Sequence, residues 1–144
     1  MMDRILSGNK ITSRFYEGCY AADRIPRCEK FPASMVVNLD TASEDGSHWV
    51  ALFAKSPSHV YYFDSYGMPP DGLLEKYMKT NFKIITQSKK TYQSPFSSVC
   101  GHYCIYFLYS MSLDLNFDST IKLLNILCNP DVFVKDFVSQ LICL

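Results

Sequence analysis

The chain has no surplus of charge of either sign, no paired cysteine spacing and no apolar run long enough to cross a membrane, and each absence removes a class of function. Lys and Arg together number fourteen, as do Asp and Glu. Binding to nucleic acid or to a membrane surface therefore has no electrostatic footprint at the level of the whole chain. The six cysteines, Cys19, Cys28, Cys100, Cys104, Cys128 and Cys143, show neither CxxC nor CxxH spacing. No export signal is read over Met1 to Lys10, so reduced thiols in a cytoplasmic, nuclear or virion setting are expected rather than a disulfide framework. His102 between Cys100 and Cys104 points off the helix face the two cysteines share, and no second ligand cluster follows, so neither a metal nor an organic cofactor is expected. There is no internal repeat and no low-complexity tract.

What is present is a core. Hydrophobic residues make up 48% and aromatics 15% of the 144 residues. That is enough for one folded domain spanning 1–144 and too short a chain for two. Cys100, Tyr103, Cys104, Phe107, Leu108 and Met111 recur at helical spacing, and Ile105, Tyr106 and Tyr109 make the other faces apolar as well. This predicts a buried central helix starting at or just before Cys100. A cysteine in the first turn of such a helix sits at the positive end of its dipole, where the thiolate is favoured.

Upstream, Met35–Leu39 reads as a short strand. Trp49–Ala54 is apolar at every position, as in a strand covered on both faces, and Val60–Phe63 returns from the turn Lys55–Ser58 as its hairpin partner. A polar loop over Thr41–Ser47 ends at His48. The segment through Tyr20 reads as a short helix and loop, and Ala21–Pro32 as an exposed connection. Asp71 is expected to cap a helix over Gly72–Lys79, and Phe82–Thr86 to form one more strand. Asp118 or Ser119 is expected to cap a helix carrying Ile121, Leu124, Ile126 and Leu127. Asn129-Pro130 is expected to open a last helix whose Phe133, Val134, Phe137, Val138, Leu141 and Ile142 face the core. The order of elements predicts an α+β fold, a small mixed sheet packed on a central helix.

A hairpin of antiparallel strands brings the start of one beside the end of the other, so His48 and Asp64, sixteen positions apart, should meet at one edge of the sheet. Gln93 stands on the loop leading into the helix, where its amide can reach an oxyanion beside the backbone N–H of Cys100. A thiol, a base, an acid and an oxyanion donor are the parts that nucleophilic acyl transfer needs.

His48-Trp49, Asp64 with Gly67 three places on, Gln93, and Cys100-Gly101-x-x-Cys104 resemble the adenovirus endopeptidase (adenain) family and its relatives encoded by Maverick/Polinton elements. These belong to the larger clan that includes the SUMO-specific proteases. Tyr16-x-Gly18-x-Tyr20 and Val37-Asn38 extend the resemblance, which covers roughly residues 15 to 128. It implies an adenain-like cysteine protease fold, with Cys100 as nucleophile, His48 as base, Asp64 as orienting acid and Gln93 as oxyanion donor. Trp49 would wall a narrow channel for glycine at the cleavage site, with Asn38 and Gly101 also at the substrate. Polypeptide substrates follow, such as viral or transposon-encoded precursor and capsid proteins.

The chain also departs from that family. The aspartate at position 64 is closer to the SUMO-protease wording, since adenain carries glutamate there. Gly72–Tyr92 holds no cysteine, and Phe82 stands about where an activating peptide would be bridged, which speaks against a covalent peptide cofactor. The neutral charge speaks equally against activation by DNA. Two other readings of the same residues remain open, an isopeptidase acting on SUMO or another ubiquitin-like modifier and an inactive peptide-binding relative. The oligomeric state is not legible.

Overall fold

The fold, seen in a computed structural model, is described for residues 1–43, 48–114 and 116–143. Among these, a five-stranded sheet runs in the order β1 (Tyr16–Ala21), β2 (Ala33–Asn38), β3 (Trp49–Ser56), β4 (His59–Phe63), β5 (Ile84–Gln87). The two outer pairings are parallel and the two inner ones antiparallel, so the sheet is mixed as expected. Among the described residues five α-helices accompany it: α1 (Met2–Gly8), α2 (Gly72–Asn81), α3 (Cys100–Asp114), α4 (Phe117–Ile126) and α5 (Pro130–Ile142).

Side-chain alternation along the strands divides the core in two. Val36, Ala51, Phe53, Tyr61 and Phe63 face α3 and the helices gathered around it. Met35, Val37, Val50, Leu52, Val60 and Tyr62 face the other way, onto Leu74 and Met78 of α2. This is why β3 has no polar face to spare: a period of two puts every second residue into one of two dry layers. Each large side chain fully buried there contributes about 1.5–3 kcal/mol of transfer free energy.

Helix α3 is covered on nearly all sides, with Gly101, Tyr103 through Leu108, Met111 and Ser112 buried. Phe107 stacks on Phe63 at 4.8 Å between ring centroids, tying the helix to β4. At the helix start the N–H of Tyr103 donates to the carbonyl of Val99 at 3.1 Å, which makes Cys100 the first helical residue.

Several expectations need correction. The segment through Tyr20 is not only helix and loop: β1 lies within it, parallel to β2. The polar loop at Thr41–Ser47 falls partly outside the described residues, at 44–47. Asp71 occupies the cap position of α2 without a side-chain capping bond. Helix α4 is capped by neither Asp118 nor Ser119 but by Asn116, whose side chain accepts from the Ser119 N–H at 3.0 Å. That bond satisfies one of the first-turn donors, a contribution of about 1 kcal/mol. Asn129 caps α5 as expected, with Pro130 at its first position. Ile142 is exposed rather than core-facing, because it stands at the last residue of α5, past the buried stripe, and Leu127 is the C-cap of α4 rather than part of the helix.

Candidate active site

The site is assembled where the β3–β4 hairpin meets the first turn of α3. Pairing of Ala51 with Phe63 sets His48, just before β3, next to Asp64, just after β4. The His48 Nε2–H donates to Asp64 Oδ1 at 2.6 Å, and the same oxygen accepts the Tyr66 N–H at 3.0 Å. Asp64 is buried and the His48 side chain is 15% exposed, so the carboxylate is sheltered while the imidazole still reaches solvent. With Nε2 engaged, the other ring nitrogen is the one left for the sulfur of Cys100, to which His48 is also hydrogen-bonded.

The two titrating groups pull each other apart. Burial lowers the His48 pKa, but the hydrogen bonds to Asp64 and Cys100 outweigh it and raise the group to about 9. Burial raises the Cys100 thiol, but His48 and the backbone N–H groups of Trp49 and Gly101 outweigh it and bring the thiol below its ordinary value. Both directions favour a thiolate beside an imidazolium. One turn along α3, Cys104 feels burial first and the negative charge of Cys100 second, and its thiol is pushed well up.

Gln93 is buried, and the hydroxyl of Ser65 donates to its Oε1 at 2.6 Å while its Nε2 donates to the Ser97 carbonyl at 3.0 Å. The loop that carries it is pinned at both ends. The carbonyl of Ser65 accepts from Tyr92 and Gln93 N–H at 2.8 and 3.1 Å, and Asp131 of α5 accepts from Ser94 N–H at 3.2 Å. Gly67 closes the turn after Asp64 with a left-handed φ of 70°, and a Cβ there would meet the backbone of Lys90 at 2.7 Å. A glycine is required by both the conformation and the closeness of that loop.

Asn38 ends β2 opposite Trp49. Its Oδ1 accepts the Asp40 N–H at 2.9 Å, and its buried Nδ2 has no partner among the described residues. Trp49 is half-buried beside the pair. Gly101 is buried against α1, where a Cβ would meet the Met2 sulfur at 2.8 Å.

Three neighbours escaped the sequence reading. Tyr66 lies over the His48 ring with centroids 5.0 Å apart. Ser65 holds Gln93, and Asp131 ties α5 to both the loop and Tyr103, whose hydroxyl donates to it at 2.7 Å. Tyr66 and Ser65 follow Asp64 directly, which was the available signal; nothing in local spacing points to Asp131. A cavity of about 850 Å³ lies between α1, α3 and α5, lined by Arg4, Ile5, Tyr109 and Leu141 and by none of the candidate site residues.

A helix-borne thiol polarised by an imidazole that a buried carboxylate orients is the working arrangement of the thiol-dependent hydrolases. The chain belongs to the adenovirus endoprotease family, whose sequence profile matches residues 27–125. The protease of Bovine adenovirus C serotype 10 is 28% identical over 95 residues, which is 56% of this chain and 48% of that protein. The chain thus spans about half the length of that curated relative. Two crystal structures of the ASFV protease are also similar. One has a TM-score of 0.46 at 22% identity, covering 61% of this chain and 38% of that one. The other has a TM-score of 0.48 at 20% identity, covering 62% and 36%.

Proposed function

We propose that the protein is a cysteine endopeptidase whose Cys100 thiolate, paired with the His48 imidazolium, attacks the scissile carbonyl of an extended peptide. The observation that carries this reading is the chain of contacts from Asp64 through His48 to Cys100, with the 2.6 Å bond fixing the imidazole. Attack forms the S–C bond and moves the carbonyl π electrons onto oxygen. The backbone N–H of Cys100 and the Gln93 amide hold that oxyanion. As the tetrahedral species collapses, the C–N bond breaks and His48 passes its proton to the leaving amine. Water, deprotonated by His48, then attacks the acyl-enzyme and releases the acid product, restoring the thiolate and the imidazolium.

In this reading Trp49 forms the wall of a tight channel for glycine at the cleavage site, and Asn38, at the end of β2 opposite Trp49, backs that wall. Gly101 contributes its N–H to the sulfur and leaves room at the start of α3. The substrates are extended segments of viral or transposon-encoded precursors. The test is cleavage of a peptide library by the wild type with Cys100→Ala as control, alongside a fluorogenic ubiquitin-like substrate. Cleavage after glycine by the wild type alone is expected. Products identical in both proteins would overturn the reading, and turnover confined to the ubiquitin-like substrate would replace it with an isopeptidase.

A further inference from the structure

We propose that Ser65 is the positioning residue that aims the Gln93 amide, so that one turn, Asp64–Gly67, holds both the base and the oxyanion donor. This inference rests on the role given to Gln93 above and adds to it the device that sets its orientation. A side-chain amide has two ends of nearly equal shape, and only the nitrogen end can donate to an oxyanion. Ser65, 1% exposed, places its hydroxyl on Gln93 Oε1 at 2.6 Å. The Ser97 carbonyl, which can only accept, takes one hydrogen of Nε2 at 3.0 Å. Rotating the amide by half a turn would set oxygen against that carbonyl, so the two contacts select one orientation. The second Nε2 hydrogen has no acceptor among the described residues and remains for the substrate oxygen.

The same serine fixes the backbone beneath. Its carbonyl accepts the N–H groups of Tyr92 and Gln93, at 2.8 and 3.1 Å. One residue earlier, Asp64 receives His48 Nε2–H and closes the turn through its own carbonyl, which accepts the Gly67 N–H at 2.8 Å. The acid and the amide are therefore set from adjacent residues, although His48 and Gln93 lie 45 positions apart in the chain. Removing the Ser65 hydroxyl leaves a buried amide oxygen without its donor and frees the side chain to turn.

The experiment compares wild type, Gln93→Ala, Ser65→Ala, Ser65→Thr and the double variant. The readouts are kcat, KM, inhibition by a peptide aldehyde and the pH profile of Cys100 alkylation. The aldehyde adds to the thiol as an S–C bond forms, and its former carbonyl oxygen occupies the oxyanion position. Ser65→Ala is expected to lower kcat about tenfold with KM unchanged, to weaken the aldehyde by a similar factor and to leave the alkylation profile as in wild type. Ser65→Thr, which keeps a hydroxyl, restores both, and the double variant falls no further than Gln93→Ala. Wild-type kcat and aldehyde binding in Ser65→Ala, with both lost in Gln93→Ala, would overturn the role of Ser65 alone. Wild-type behaviour of Gln93→Ala would instead overturn the oxyanion reading beneath it. Loss of the alkylation profile in Ser65→Ala would show a general structural role and overturn the inference. Should Ser65→Ala fail to fold by circular dichroism, Ser65→Cys, with its weak S–H donor, must show the kcat loss; wild-type kcat there overturns the inference.

Discussion

Two consecutive turns of α3 each carry a cysteine, and the protein treats them in opposite ways. Cys100 sits half-buried at the helix N-terminus, against His48 and two backbone N–H groups, and its thiol is held below the ordinary value. Cys104 is sealed in the core among Cys100, Tyr103 and the sheet, and its thiol is driven up. The two share chemistry, element and face, so residue type decides nothing here. What separates them is whether donors reach the sulfur before burial takes away the water.

The comparison is broken most severely by exchanging the two positions for alanine. Cys100→Ala should remove turnover entirely, a loss of about 10⁴-fold or more, whereas Cys104→Ala should keep kcat within about twofold and lose about 1–2 kcal/mol of stability to a small cavity. Peptidase assays and chemical denaturation of both variants check this. Next in size is Asp64→Asn, which keeps the shape of the acid while removing the charge that holds His48; kcat should fall about 10³-fold, with a folded circular dichroism spectrum retained. Gln93→Ala should cost about 10²-fold in kcat and leave the alkylation rate of Cys100 unchanged, since the proposed role of its amide is to meet the oxyanion and not to make the thiolate. The smallest effect is expected at Tyr103→Phe, which frees Asp131 without touching the sulfur. About 1 kcal/mol should be lost in urea denaturation, with kcat reduced by only a few-fold.

The hairpin and the helix were legible because each is written in a local pattern. Trp49–Ala54 and Val60–Phe63 announce two strands, and the spacing from Cys100 to Met111 announces a covered helix. Meeting of His48 with Asp64 then follows from antiparallel pairing alone. Strand β1 was not legible, because it is an edge strand paired on one side only, has no alternation of buried and exposed residues, and includes Gly18 at φ 137°. The cap of α4 was placed too late, since Asn116, Asp118 and Ser119 all have side chains suited to that position and only the geometry selects among them. The setting of Gln93 was out of reach for a different reason. Its partners, Ser65 across 28 positions and the loop tied to Asp131, come together only through the tertiary fold. Tyr66 over the imidazole belongs to the same kind: proximity in sequence to Asp64 names it, but only the turn closed by Gly67 lays its ring there.

The pH dependence joins these threads. Because the Cys100 thiol is lowered, its thiolate persists to more acid pH than an ordinary thiol allows; because His48 is raised to about 9, its proton stays until the pH passes that value. The reactive pair therefore exists between those limits. Protonation of the thiolate abolishes kcat/KM on the acid side, and loss of the imidazolium proton reduces it near about 9. The most direct measurement is site-resolved alkylation of all six cysteines by iodoacetamide between pH 5 and 9, read by mass spectrometry. The account predicts that Cys100 keeps its labelling rate down into the acid range while a simple thiol added to the same reaction falls about tenfold per pH unit, and that Cys104 stays unlabelled in the folded protein. A Cys100 rate that declines in parallel with that simple thiol would contradict it.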